Sequence, residues 1–247
     1  MDRGALITPR RGLLTAAAAG AVLAAGACAK GAEQGEASAG EILARNHAAM
    51  LRILVVCREA AALIRANFSS VDGHPVGRAA DLFRRFSDYQ AQLEETEVFP
   101  GAMKTGGAAA GMVPTLIAQH ARGRQITDYV VARTAAGAVA AADAEPLALA
   151  LESLARMYEA QIAFEETVIV PAWRSGLSHD QLHDAASRFG KVEAASFKGG
   201  SAQALAEIAA IEAALRINDL GRYTADAPGQ APVGVLPAPP NLQEGGD

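Results

Sequence analysis

Several chemistries are missing from this chain, and each absence removes a class of function. Only two cysteines stand in 247 residues, Cys28 and Cys57. That is too few for a disulfide framework, and no Cys-x-x-Cys or Cys-x-x-Cys-His exists to hold a thiolate-bound metal or a c-type haem. There is no His-Glu-x-x-His, which excludes the zincin frame. There is no Gly-x-Ser-x-Gly and no phosphate loop, so neither a nucleophile elbow nor a nucleotide cradle is present. No histidine follows a glutamate by three residues, so the Glu-x-x-His pair of ferritin-like carboxylate sites is missing. Basic charge is also scarce: the net charge is −5, which leaves no electrostatic footprint for nucleic acid. The longest apolar run, Leu13 to Ala27, is too short and too rich in alanine for a membrane span.

What remains favours helix. Hydrophobic residues make up 51% and aromatics only 5%, with alanine supplying much of the apolar content, enough for one core in a single domain. Residues 1–30 read as an export signal. Arg10-Arg11-Gly12-Leu13-Leu14 resembles the twin-arginine motif and precedes the apolar run. Ala25-Gly26-Ala27 suits ordinary signal peptidase, whereas Leu23 to Cys28 resembles a lipoprotein box with Cys28 as the lipidation site. A soluble periplasmic protein and a lipid-anchored outer-envelope protein therefore both stand as readings. Any membrane association is expected only through that lipid. Cys57, inside an apolar stretch, reads as a buried small residue.

Residues 31–40 read as a linker, and helical apolar spacing then begins. A first helix is predicted over 41–67, with Ile42, Leu43, Met50, Leu51, Leu54 and Val55 on its apolar face. A second runs over 76–99 and stops at Pro100, and the glycines between Gly101 and Gly111 read as a loop. A third helix is predicted over 113–135 with Pro114 in its first turn, and a fourth opens at Glu145-Pro146 and ends at Pro171. Ser178-His-Asp-Gln181 has the form of a capping box for a shorter fifth helix, and a sixth follows Gly199-Gly200. Residues 225–247, rich in proline and glycine, read as a disordered tail. The fold class is all-α: an antiparallel up-down-up-down four-helix bundle over 41–224 with short extra C-terminal helices.

One phrase occurs twice. Gln90-Ala-Gln-Leu-Glu94-Glu95-Thr96 and Gln161-Ile-Ala-Phe-Glu165-Glu166-Thr167 superimpose on a shift of 71 residues, as do Pro100 and Pro171. His47 and His120 stand about equally far upstream of the two copies. Glutamine and glutamate at i and i+4 share a helix face, so each copy aims both one way. Carboxylates and imidazoles buried on facing helices are most simply explained by a shared metal. Glu97 lies on nearly the same face as Glu94 and is a further candidate, whereas Glu166 sits about 100° round the helix from Glu165 and is expected outside the site. His179 and His183, at an exposed helix start, read as surface or capping residues, and His74 as a turn residue. Tyr89 and Tyr158 read as boundary aromatics.

With these residues the chain resembles the haemerythrin-like (HHE cation-binding) proteins, four-helix bundles that hold a non-haem di-iron centre. His47 in Asn46-His47, Glu94, His120 in Leu116-Ile-Ala-Gln-His120, and Glu165 fall on positions that the family uses as ligands. The Phe99-Pro100, Gly123-Arg124 and Pro171-Ala-Trp-Arg174 segments match as well. The resemblance implies His47, Glu94, His120 and Glu165 as metal ligands and iron as the metal. In both places where the family has His-x-x-x-Glu, this chain has glutamine: Gln90 and Gln161. An amide oxygen is a neutral, weaker donor than an imidazole nitrogen. Gln90, Gln161 and Glu97 are therefore read as weak ligands or as hydrogen-bond partners of the ligands. One iron, a weakened pair or none all fit that reduced set. The expected function is metal binding, with O2, NO or peroxide as a small ligand, by binding rather than turnover. A metal-free structural or interaction bundle is the alternative. An oxidase or peroxidase using the same site is a third reading.

Overall fold

The computed structural model describes residues 37–197 and 200–225, all within one unit, Glu36–Asp247. The expected export signal over 1–30, with Cys28, and most of the expected linker and tail lie outside the described residues. Within them every regular element is helical. Four long helices are α1 (Ala39–Asn67), α2 (Gly73–Leu93), α4 (Gly107–Thr134) and α5 (Ala141–Phe164). Between them α3 (Phe99–Thr105) extends α2, and α6 (Val170–Ser175) extends α5. Then follow α7 (His179–Ser196) and α8 (Gly200–Ala214). No helix among the described residues is long and apolar enough to cross a membrane.

Local chemistry sets the helix ends. Ser38 and Glu41 close a capping box at the start of α1, the Ser38 N–H donating to Glu41 at 2.7 Å and the Glu41 N–H to Ser38 at 3.3 Å. Ser178 and Gln181 repeat it at α7. Asp72 accepts the His74 N–H at 2.9 Å to open α2. Gly137, at φ 78°, lets the chain leave α4 and turn back beside His74, where a Cβ would strike the imidazole ring. Its carbonyl accepts the Gly73 N–H at 2.6 Å and ties this turn to α2.

The four long helices close a ring of contacts: α1 packs on α2 and α5, and α4 packs on α2 and α5. Leu43, Ile53, Leu54, Phe83, Leu151 and Leu154 are essentially inaccessible within it. Helices α7 and α8 lie over α1 and α2. Phe189 stacks on Trp173, and Phe197 meets Phe86 and Tyr89. Ile208 and Ile211 of α8 are buried. Arg45–Glu193, Arg85–Glu207 and Arg52–Glu212 pair across the same seam. In the predicted apolar face of α1, Ile42, Leu43, Met50 and Leu54 are buried, but Leu51 and Val55 are more than a third exposed.

Several element ends differ from the sequence expectation. The α2 helix does not stop at Pro100, because a wide π-helical turn over Glu94–Val98 intervenes. There the Phe99 N–H bonds the Glu94 carbonyl five residues back, and Pro100 becomes the second residue of α3, where a missing N–H costs little. A second wide turn, Glu165–Ile169, carries α5 into α6 past Pro171 in the same way. The expected loop after Gly101 is α3, a break at Gly106 (φ 77°) and the first turns of α4. Pro114 consequently lies inside α4 rather than at its start, and Pro146 lies inside α5 because that helix already begins at Ala141. Ser38 and Gly40, read as linker, belong to the cap and first turn of α1.

Candidate metal centre

Each long helix sends one or two polar side chains into the middle of the ring. His47 comes from α1, Gln90 and Glu94 from the end of α2, His120 from α4, and Gln161 and Glu165 from the end of α5. All six are at most 3% exposed. Burial of this much polar surface is unfavourable unless the groups satisfy one another or a cation. Both glutamates begin a wide turn, and in both copies the threonine two residues on donates to the carbonyl four residues back, at 2.6 Å. That bond holds the turn without using any group in the centre.

Glu94 stands between the two imidazoles. Its Oε1 lies 3.3 Å from His47 Nε2 and its Oε2 lies 3.3 Å from His120 Nε2. Glu165 Oε2 is 3.4 Å from the same His47 nitrogen. His47, Glu94 and Glu165 each bring one ligand atom within 4.8 Å of the others, and His120 joins through the second oxygen of Glu94. Behind each imidazole is a further carboxylate, Glu166 at 2.7 Å from His47 Nδ1 and Glu95 at 2.8 Å from His120 Nδ1. A proton on Nδ1 donating to that carboxylate leaves the Nε2 lone pair facing the centre, the arrangement of histidines that bind metals.

The two glutamines are not equivalent. Gln90 donates its amide N–H to Glu94 at 2.6 Å, its Nε2 is 3.0 Å from His47 Nε2, and its oxygen accepts from Asn46 at 3.3 Å. Asn46 therefore holds the Gln90 oxygen, and Gln90 serves as a donor to Glu94. Gln161 donates to Glu165 at 3.0 Å, but its oxygen is buried without a partner. Of the two amides, only that of Gln161 keeps a free acceptor.

Burial raises the proton affinity of Glu165, and the neighbouring Glu94 charge adds to it, pushing its pKa up to about 7 against the opposing pull of His47 and His120. Burial acts the same way on Glu94, yet His120 and His47 outweigh it and hold that carboxyl down at about 2. Burial disfavours charge on His47, but Glu165, Glu166 and Glu94 raise its proton affinity well above the ordinary imidazole value. Burial likewise opposes charge on His120, where Glu94 and Glu95 prevail and raise it. The centre is thus a compact nest of carboxylates that draws positive charge, whether protons or a metal ion.

The donor set fits a cation. Glu94 Oε2, Glu165 Oε2 and Gln161 Oε1 are buried with no hydrogen-bond partner, and the first two face imidazole nitrogens at 3.3 and 3.4 Å. Unpaired buried acceptors are rare and costly, and a metal held by two imidazoles and two carboxylates would satisfy the two carboxylate oxygens together. The centre is therefore able to hold a metal ion.

Glu97 is a correction: it points outward and pairs with Arg188 at 2.6 Å. Glu166, expected outside, is in contact with His47, and Glu95, for which the sequence carries no expectation, is in contact with His120. A π-helical turn has more residues than an α-turn, so each residue advances by less than the ~100° assumed from sequence. This swings Glu97 off the Glu94 face and keeps Glu95 and Glu166 close to it. The one available signal was that Glu-Glu is repeated in both copies. Tyr89 and Tyr158 are fully buried rather than at the boundary. His179 and His183 are exposed, and Cys57 is buried, its thiol pushed up to about 12 by loss of solvent.

A family model described as the Hemerythrin HHE cation binding domain matches residues 38–173. Uncharacterized proteins of Mycobacterium bovis and of two Mycobacterium tuberculosis strains are each 35% identical over 190 residues, spanning 76% of this chain and 74% of their own. No solved structure matches the chain.

Proposed function

The chain belongs to the hemerythrin HHE cation-binding family, and from that premise we propose that it is an exported metal-binding protein holding a single iron ion. In this reading His47, Glu94 and Glu165 are the principal ligands, His120 binds from the far side, and the four long helices form an up-down-up-down bundle. Iron held there would supply an open position for a small ligand such as O2, NO or peroxide. The chain's own part is binding and exclusion. Glu166 and Glu95 fix the imidazole protons on Nδ1, Gln90 and Gln161 hold the carboxylates, and the apolar ring keeps bulk water out. The observation that carries the reading is the convergence of two imidazoles and two carboxylates, nearly all buried, with three acceptor oxygens left unpaired. Export to the periplasm or outer envelope is supported by Arg10-Arg11 and the apolar run after it, with Cys28 as the lipid attachment point if the protein is anchored.

The alternative, a metal-free interaction bundle, is favoured by one observation: Asn46 locks Gln90 as a donor, so part of the polar centre is already satisfied internally. Metal content decides between them. Untagged protein loaded anaerobically with ferrous iron and then desalted is expected to retain about one iron per chain. Glu165→Ala is expected to lose it while keeping its helical circular-dichroism signal. A wild-type chain that stays empty and is equally stable with and without chelator would establish the metal-free reading instead.

A further inference from the structure

The Gln90 amide meets the polar centre at a place where a cation has two donors waiting. Its Nε2 lies 2.6 Å from Glu94 Oε1 and 3.0 Å from His47 Nε2, and those two atoms are 3.3 Å apart. The three atoms form a small triangle on side chains that are at most 2% exposed. A cation inside it would have the carboxylate and the imidazole as ligands but the amide nitrogen as its third neighbour. That nitrogen carries hydrogens and has no lone pair to give. Were the amide turned over, its oxygen would take the same corner, and all three would be donors. The orientation of one amide therefore decides whether this place accepts or repels an ion.

Two acceptors fix that orientation. Glu94, kept ionised by the imidazoles, takes the Gln90 N–H, and the Gln90 oxygen accepts from Asn46 Nδ2 at 3.3 Å. The Tyr89 hydroxyl lies beside Asn46 and gives its one proton to the Phe189 carbonyl of α7 at 3.5 Å, so toward Asn46 it can only accept. Asn46 is thus held as a donor, and a donating Asn46 requires the Gln90 oxygen. We propose that Asn46 is a positioning residue that keeps the Gln90 nitrogen against Glu94 and His47 and thereby limits the centre to one metal ion. The inference rests on the metal-binding reading above and adds what sets the number of ions. Elsewhere in the centre nothing blocks an ion. Glu94 Oε2 and Glu165 Oε2 have no hydrogen-bond partner, and His120 Nε2 stands 3.3 Å from the first. The Gln161 oxygen is likewise unpaired, with no counterpart of Asn46 to hold it.

The test begins on the metal-free full chain, where nuclear Overhauser contacts of the Gln90 side-chain amide protons report its orientation. Contacts to the His47 ring are expected, and contacts to the Asn46 side chain in their place would overturn the proposal. Ions are then counted by equilibrium dialysis against ferrous iron without oxygen. Asn46→Asp puts an acceptor where Asn46 donated, so Gln90 should turn its N–H to the new carboxylate and its oxygen to Glu94 and His47. Wild type should hold about one ion per chain and Asn46→Asp about two. Adding Gln90→Leu to Asn46→Asp keeps the new charge but removes the amide oxygen, and should return the count to that of wild type. Should the buried carboxylate prevent folding, Asn46→Leu leaves the Gln90 oxygen without a partner and free to turn, and should show the second ion at lower affinity. Two ions in wild type, no second ion in the folded Asn46 variant, or a second ion that survives Gln90→Leu would each overturn the proposal while the metal-binding reading stands. A wild-type chain that binds no iron would overturn that reading and the limit on ion number with it, leaving the Overhauser contacts to decide the amide orientation.

Discussion

Glu94 and Glu165 occupy the same place in the repeated phrase and differ in charge because their neighbours differ. Two imidazoles flank Glu94 and keep it ionised, whereas Glu165 answers only one at close range and feels the Glu94 charge. In the metal-free protein near neutral pH Glu165 is about half protonated, and the raised proton affinity of the two histidines adds to the protons that compete with a metal. Groups whose proton affinity is raised release their protons only as pH climbs, so metal affinity should increase from about pH 5 to pH 8, passing through the Glu165 value of about 7. Calorimetry in buffers of different ionisation enthalpy should detect proton release at pH 6.5, and its absence would show that the centre is already deprotonated. The carboxylates behind the imidazoles give a second expectation. Glu166→Gln and Glu95→Gln should each weaken metal binding about 10- to 100-fold without changing the fold, the usual effect of removing the partner of a ligating histidine. Both can be read by competition with a chelating dye. The repeated phrase made the two buried glutamates of the centre legible in the sequence. The orientation of Gln90 was not legible, because it depends on Asn46 from a different helix.

The elements explain why the phrase can repeat at all. Each copy ends a long helix in a wide turn that begins at the buried glutamate, is braced by a threonine hydroxyl and runs directly into a short helix with proline as its second residue. Helical periodicity exposed the four long helices in the sequence, since buried faces recur with the helix period. The ends resisted that reading. Pro100 and the glycines after it carry the usual signals of a stop, and only the wide turn makes continuation possible. A further constraint operates between α4 and α5, where Gly123 lets the Tyr158 ring lie directly against the helix backbone. A Cβ there would collide with the phenol ring and hydroxyl. Tyr158 cannot easily retreat, being buried with its ring edge-on to Phe83 at 4.7 Å. Gly123→Ala gains about 1 kcal/mol of helix propensity, but overpacking a buried aromatic costs about 1–3 kcal/mol. A net loss of stability on urea denaturation is expected, and Gly123→Ala combined with Tyr158→Phe should recover part of it, because the hydroxyl is the nearest atom. A stabilised single variant would mean that the ring has room to move.

At the scale of the whole molecule, the polar centre ties together all four long helices, so whatever fills it should report on global stability. Hydrophobic burial around the ring should let the chain fold without metal, since the apolar core extends well beyond the six polar residues. The centre then carries unpaired acceptors and a crowded set of carboxylates, and a metal ion relieves both. Ligand linkage sets the size of the effect: at a free metal concentration one hundred times the dissociation constant, the folded state gains about 2.7 kcal/mol. For a chain of this length that corresponds to a rise in Tm of roughly 5–10 °C. The rise should grow with the logarithm of ferrous ion concentration under anaerobic conditions and be reversed by chelator. It should shrink in Glu94→Gln and Glu165→Gln, which remove the charge that attracts the cation while keeping side-chain shape. A rise of the same size in those variants would place the stabilising ion elsewhere on the surface. By contrast, the exposed pairs Arg58–Glu159 and Arg65–Glu152 on the outer face of the ring should matter little, because solvent screens them. Raising the salt concentration should leave the metal-dependent part of the Tm nearly intact, since a buried centre is screened far less than a surface pair.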